Sequence, residues 1–231
     1  ILNGEKMWIT NAWIADVVSL FARTERGITA FAVETKTPGF STGKPEKKMG
    51  IKGSVTNSIT LENVRVPHEN MIGQEGRGFI IAMKTLDAGR LGLGACCLGV
   101  CKEMLELSTR YAKERKQFDK PISHNQAVQF MLSEMAIIIY QMESIVYRTA
   151  KDYDEGKSIS TQSAIVKYVC SEGLDKVVDL AVQIHGAMGY SKEHCIERYY
   201  RDSRINRIFE GTNEIQKSII AHDIIKKNGV L

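Results

Sequence analysis

A change of period near residue 76 limits this chain more than any other feature. From there Phe79, Met83, Leu86, Arg90, Leu93, Cys97, Val100, Met104, Leu107 and Tyr111 recur at steps of four and three. That is the seam of one long helix with a single buried side, and such a helix needs others to pack against. One member is wrong for a seam: Arg90. Asp87, three residues earlier, projects from nearly the same face, so the two form either a structural ion pair at a bundle edge or a polar pair facing a ligand. Gly89, Gly92, Gly94, Ala95 and Gly99 lie on the same stretch. The four glycines weaken the helix intrinsically, which is consistent with a close neighbour.

The first helix is predicted to end around Phe118, before Pro121. A second runs from about Asn125 to Tyr153, with Val128, Leu132, Met135, Ile139, Met142 and Val146 on one face, and Gly156 closes it. A third spans about Ser160 to Ile184 and stops at Gly186. A shorter piece, Glu193 to Asp202, precedes a last helix with apolar positions Ile215, Ile219, Ile220 and Ile224. Four main helices with short links predict an antiparallel four-helix bundle over residues 73–231.

Residues 1–72 read as part of a β-domain. Glu5 to Thr10, Val17 to Thr24, Thr29 to Glu34 and Thr56 to Glu62 are short and rich in β-branched residues, with glycines between them. Gly43 to Lys48 reads as a polar edge or loop. Asn3-Gly4 is a strong hairpin signal that needs a strand on each side. Only Ile1 and Leu2 precede it, so the chain is expected to be cut inside a hairpin. The fold class is therefore α+β.

The 231 residues are 43% hydrophobic and 25% charged with net charge +4, as in an ordinary globular protein. No Lys/Arg block points to nucleic acid. The five cysteines, with Cys96, Cys97 and Cys101 in an apolar helical run, read as reduced, buried thiols of an intracellular protein rather than a metal site. No window of about 18 apolar residues is expected for a membrane span.

Four clusters carry candidate chemistry. In Arg207-Ile208-Phe209-Glu210-Gly211-Thr212-Asn213-Glu214-Ile215, a carboxylate stands against apolar neighbours where Thr212 or Asn213 can cap a helix. Apolar surroundings raise its pKa and a helix N-terminus lowers it, which suits a general base; a merely solvated carboxylate is the alternative. Trp8-Ile9-Thr10-Asn11 puts an indole, a hydroxyl and an amide at a strand end, for stacking or simply for a core. Glu114-Arg115-Lys116-Gln117-Phe118 ends the first helix with cations, explained by the helix dipole or by a phosphate clamp. Gln183-Ile184-His185-Gly186-Ala187-Met188-Gly189-Tyr190 is a glycine-punctuated turn where backbone can approach a cofactor, with His185 read as structural.

Together and in this order these clusters resemble the acyl-CoA dehydrogenase family of flavoenzymes, over the whole length of the chain. Lys48-Met49-Gly50-Ile51-Lys52-Gly53 and Ile208 to Glu214 look most like its longer-chain branch. The resemblance implies a subunit with an N-terminal helical domain absent from this chain, a middle antiparallel, barrel-like β-domain whose second half is residues 1–72, and the bundle. It implies FAD as cofactor, an acyl-CoA substrate and an electron-transfer flavoprotein as acceptor. It also implies a homotetramer built as a dimer of dimers, in the cytoplasm if bacterial or the mitochondrial matrix if eukaryotic.

Glu210 resembles the base that takes the α-proton while the β-hydride passes to flavin N5, giving the trans-2-enoyl thioester. The oxyanion donors would be the Glu210 backbone N–H and a flavin ribityl hydroxyl. Asp87, Arg90 and Gly211 resemble substrate-side residues. Trp8 and Thr10 resemble those flanking the isoalloxazine, and Thr212 and Glu214 resemble same-subunit FAD contacts. Arg115, Gln117, Phe118, Gln126, Gln183, Gly186 and Ala187 resemble contacts to a neighbouring subunit's FAD. Some members carry the base on the first helix just before the arginine; here that position is Gly89, which favours Glu210. Asp119 departs from the glycine usual after the phenylalanine. An acyl-CoA oxidase or an enoyl-CoA reductase on the same scaffold, or an idle assembly protein, are the alternatives.

Overall fold

The computed structural model describes residues 1–230. They fall into two compact units, Ile1–Thr85 and a second beginning at Leu86. The division lies within the first helix, later than the expected 72/73 boundary. Gly78 accounts for this: a Cβ there would stand 2.7 Å from the Ala30 nitrogen. The helix's first turn is therefore packed against the strands.

The first unit holds β1 (Leu2–Thr10), β2 (Val17–Thr24), β3 (Gly27–Glu34), β4 (Phe40–Thr42), β5 (Thr56–Val64) and β6 (Met71–Ile72). They form two three-stranded antiparallel sheets, β1-β5-β4 and β2-β3-β6, where one barrel-like sheet was expected. Val18, Leu20, Phe31 and Val33 of one meet Ile59, Leu61 and Val64 of the other in a single core. Asn3-Gly4 is not a hairpin turn. It lies within β1 at a register shift against β5, and Asn3 Oδ1 accepts the Asn63 N–H at 2.7 Å. The pairing across a long connection outweighs the local turn preference. A second shift, between Lys6 and Ile9, contains Trp8.

The helices are α1 (Gly78–Glu114), α2 (Gln126–Asp154), α3 (Ser160–His185), α4 (Ala187–Tyr190), α5 (Ile196–Ser203) and α6 (Asn213–Lys226). In the second unit α3 is central and packs against α2, α4, α5 and α6. Leu93, Cys97, Cys101 and Met104 of α1 share one core with Met135, Ile139, Met142 and Val146 of α2 and with Val166, Cys170, Leu174 and Val178 of α3. The seam thus holds from Leu93 onward, whereas Phe79 is exposed. Cys96 is exposed too, against the expectation that the whole cysteine run is buried.

Three further expectations are corrected. α1 stops at Glu114, not Phe118; β7 (Lys116–Gln117) and β8 (Lys120–Pro121) then form a small hairpin. Its two tip residues, Phe118 and Asp119, both have positive φ, 52° and 63°. That is the geometry of a type I′ turn, for which aspartate is among the tolerated residues. α6 does not bury its isoleucines: Ile215 is exposed, while polar Asn213 and Gln216 are buried. And α2 is, by length and composition, apolar enough to cross a membrane. One stripe of it faces the core, and Phe130, Ile137, Tyr140 and Tyr147 on its other side are exposed.

The glycines of α1 divide. A Cβ on Gly94 would lie 2.2 Å from Val166 Cγ1, whereas Gly92 has nothing within 4 Å. Gly92→Ala should gain up to about 1 kcal/mol from helix propensity. Gly94→Ala should instead lose about 1–3 kcal/mol, because a β-branched neighbour cannot swing away. Urea unfolding of the pair checks this, and equal stability of the two variants would contradict it.

Candidate functional site

Glu210 sits in the turn between a 3₁₀ segment (Arg204–Arg207) and α6. Its φ is +55°, a conformation uncommon for a side chain of this kind and a form of strain that collects at functional sites. Gly211 follows with φ +90°, where a Cβ would meet Gln216 Nε2 at 2.8 Å. Thr212 caps α6 by accepting the Ile215 N–H at 3.4 Å. Both expectations for this stretch, a loop carboxylate and a capped helix behind it, are met.

The loop is tied down from below. Arg90, 3% exposed, donates from Nε to the Glu210 carbonyl at 3.3 Å and pairs through Nη1 with Asp87 at 3.5 Å. Gln216 Nε2 donates to the carbonyls of Gly211 at 2.9 Å and Glu210 at 3.3 Å. Arg207 and Asn213, three residues either side of Glu210, are both held by α3. Glu172 Oε1 forms an ion pair with Arg207 (Nε at 3.0 Å) and accepts Asn213 Nδ2 at 2.8 Å, and Asp175 accepts Arg207 Nη1 at 3.3 Å.

One oxygen of the carboxylate is left without a partner among the described residues. Glu210 Oε2 is buried and accepts no hydrogen bond. Gly89 makes room for it: a Cβ there would be 3.0 Å from that oxygen. Burial pushes the Glu210 pKa above the usual carboxylate range, and Arg90 and Lys167 pull against it. The Glu210 backbone N–H also has no hydrogen-bond partner among the described residues. A proton acceptor with an unused lone pair and an unused N–H donor beside it are the two parts needed to remove a proton next to a carbonyl and hold the resulting oxyanion.

Asp87 and Arg90 are thus brought to Glu210, with Arg90 an anchor of the loop's carbonyl inside the bundle. Thr212 and Glu214 cluster at the head of α6. There the Glu214 pKa is held low, by its own backbone N–H first and by the Thr212 hydroxyl second. Arg115, Gln117, Phe118, Gln126, Gln183, Gly186 and Ala187 are all exposed. The Tyr111 and His185 rings, stacked with centroids 4.4 Å apart, join the C-terminal ends of α1 and α3. The β7–β8 hairpin and the Gly186 turn therefore share one end of the helical unit. Gly186 closes α3 at φ 57°, ψ −134°, with nothing near a would-be Cβ. From Arg90 to Glu114, the end of α1, is 24 helical residues, about 36 Å at 1.5 Å each, so this end is remote from Glu210. Trp8 and Thr10 lie in the first unit, exposed on β1. Trp8 is not core: it stands in the bulge with φ 63° and is 64% exposed.

Sequence reading missed Lys167, Glu172, Arg207 and Gln216. One signal was present: Ala164, Lys167, Cys170, Ser171 and Leu174 follow the buried register of α3.

The sequence profile described as "Acyl-CoA dehydrogenase, C-terminal domain" matches residues 76–225, and that described as "Acyl-CoA dehydrogenase, middle domain" matches residues 1–64. The chain belongs to the acyl-CoA dehydrogenase family. The mouse mitochondrial short-chain specific acyl-CoA dehydrogenase is 42% identical over 98% of the chain and 56% of its own length. A subunit of the caffeyl-CoA reductase–Etf complex of Acetobacterium woodii is also 42% identical, over 98% and 61%. A crystal structure of an acyl-CoA dehydrogenase complexed with FAD, from Bacillus anthracis, superposes with a TM-score of 0.93 at 42% identity, over 98% of this chain and 42% of that one. The chain thus spans well under two thirds of each of these acyl-CoA dehydrogenase relatives. The longer-chain expectation is overturned, since a short-chain enzyme stands among the similar relatives. The Lys48 segment that prompted it has a local role: Lys48 Nζ donates to the Ser54 carbonyl and to Thr56 Oγ1.

Proposed function

We propose that this chain carries the base and half of the flavin surface of an FAD-dependent acyl-CoA dehydrogenase acting on acyl-CoA thioesters. The observation that carries the reading is Glu210 Oε2, a buried oxygen that accepts no hydrogen bond among the described residues, on a left-handed residue for which Gly89 leaves room. The residues present fit a flavin. Trp8 offers a bare indole face at a bulge and Thr10 an exposed hydroxyl two residues on. Arg115, Gln117 and Phe118 offer a cation, an amide and an aromatic ring on an exposed hairpin.

When bound, FAD supplies the hydride acceptor for the β-carbon. The chain's own residues do the rest. Glu210 takes the α-proton on its free oxygen, and the Glu210 N–H donates to the thioester carbonyl as charge develops there. Arg90, Gln216 and Gly211 fix the loop so that the oxygen needs no reorganisation. The proton leaves on Glu210 and the enoyl thioester remains. A reductase direction is the second reading, favoured by the likeness to the caffeyl-CoA reductase subunit; Glu210 then delivers the proton. Purified full-length protein should show flavin absorbance that bleaches anaerobically with a short acyl-CoA and recovers with an electron-transfer flavoprotein. Bleaching by NADH alone, recovering with an enoyl-CoA, selects the second reading. No response to either refutes both.

The remote end of the helical unit supports an oligomer. A cation and aromatic cluster beyond the end of α1, about 36 Å from the Arg90 anchor, supports the reading that it serves a neighbouring subunit's cofactor, in a homotetramer. Arg115→Ala should release flavin and loosen association together, because a phosphate clamp is lost. Size-exclusion chromatography with flavin absorbance reads both; a monomer that retains its full flavin would rule this out.

A further inference from the structure

Lys167 has no solvent exposure and is the largest fully buried side chain among the described residues. An ammonium in such a place is costly unless something answers its charge, and among the described residues no carboxylate forms a salt bridge with it. Its hydrogen bond goes to a neutral atom, Asn213 Oδ1, at 2.7 Å. Asn213 is the first residue of α6, three after Glu210, and its amide is fully committed. Its Oδ1 also takes the Ser171 hydroxyl at 3.2 Å, and its Nδ2 donates to Ser171 Oγ at 3.0 Å and Glu172 Oε1 at 2.8 Å.

The charged and titratable groups facing Lys167 are few. From α1 come the Arg90 guanidinium and the Cys97 thiol; from the loop comes Glu210; from α6 comes Glu214. Burial and Arg90 push the Lys167 pKa down to about 8, so at neutral pH it keeps its proton. Glu210 in turn faces two cations, Arg90 and Lys167. Neither donates to its carboxylate: Arg90 bonds the backbone carbonyl and Lys167 bonds Asn213. The carboxylate feels positive charge while its lone pair stays free.

We propose that Lys167 is a positioning residue for the base. Its ammonium anchors Asn213 and so fixes the head of α6 behind the Glu210 turn, and its positive charge, bonded to Asn213 and not to the carboxylate, keeps Glu210 ready to accept a proton. This rests on the reading of Glu210 as the base. A methionine of similar length would fill the same space without the desolvation cost, so stability alone does not call for a lysine here.

The test uses the full-length holoenzyme and the rate of anaerobic flavin reduction by butyryl-CoA across pH. Lys167→Gln removes the charge while still offering an amide donor toward Asn213 Oδ1. The acid limb of its profile should move to higher pH, so that the rate on that limb falls at least roughly threefold below the parent, while the plateau is little changed. Lys167→Met should show the same displacement together with a lower plateau, since the anchor is lost as well. It also keeps the test open should the amide variant fail to fold, because a buried site accepts an apolar isostere more readily. A limb at the parental pH in whichever variant folds overturns the proposal, even with a lowered melting temperature. Glu210→Gln separates the two ideas. If its residual reduction keeps the acid limb, the base reading fails; if the limb vanishes there yet does not move without Lys167, only the present proposal fails.

Discussion

Glu210→Gln should fold, bind flavin and bind acyl-CoA, yet reduce its flavin slower by more than the roughly 10²–10⁴ typical of general acid–base help. The amide keeps the shape and the backbone N–H but offers no useful proton acceptor at neutral pH. The loss should be large because the acceptor oxygen is buried with no hydrogen bond, so no solvent-borne base takes its place. For the parent, the sign of the pH dependence follows from the direction of the shift. Burial raises the Glu210 pKa, the base works only when ionised, and the rate should rise with pH through an apparent pKa above the roughly 4.3 of a free glutamate. Anaerobic stopped-flow reduction measures both. A variant within about tenfold of the parent, far short of a missing base, would place the base elsewhere.

Arg90→Ala should damage turnover more than substrate affinity. The guanidinium bonds the carbonyl of the base residue itself and lies against Asp87. Without it the loop loses a tether, Glu210 loses one of two nearby cations, and a largely buried Asp87 keeps only the Ser163 hydroxyl at 3.4 Å. A stability loss of about 1–3 kcal/mol is expected, for the distance to Asp87 is long for an ion pair and the larger penalties belong to well-formed buried pairs. With the carboxylate no longer held, kcat should fall by roughly a hundredfold or more. Arg90→Lys should not restore it, because the Nε donor is gone. Steady-state kinetics beside thermal melting decides. A raised KM with unchanged kcat would return Arg90 to the role the family resemblance suggests, orienting the thioester end of the substrate.

Much of this was readable in advance because periodicity reports burial. The α2 stripe and the end of α3 at Gly186 follow from spacing and from a glycine where the backbone needs one. Arg90 announced itself as a cation in an apolar seam. Lys167 did not, although it occupies an equally buried register, because a lysine on a helix is usually solvated and its partner lies 46 positions away. The clamp of Glu172 on Arg207 and Asn213 was hidden for the same reason: α3 and the base loop meet only in three dimensions. Asn3-Gly4 failed in the opposite way, a local turn signal overruled by pairing with a strand sixty residues on. α6 misled because its isoleucines suggested a core face, while the structure buries the polar Asn213 and Gln216 to hold the loop.

The left-handed backbone at Glu210 has a bearing on engineering. Glycine or asparagine adopts that conformation more readily than glutamate, and a neutral residue would also be spared the desolvation that the carboxylate suffers. A redesign guided by stability would therefore choose to replace the one residue on which the chemistry rests, and would score the result as an improvement. Position 210 is where such a procedure must be held fixed, since foldedness and activity ask for different residues there.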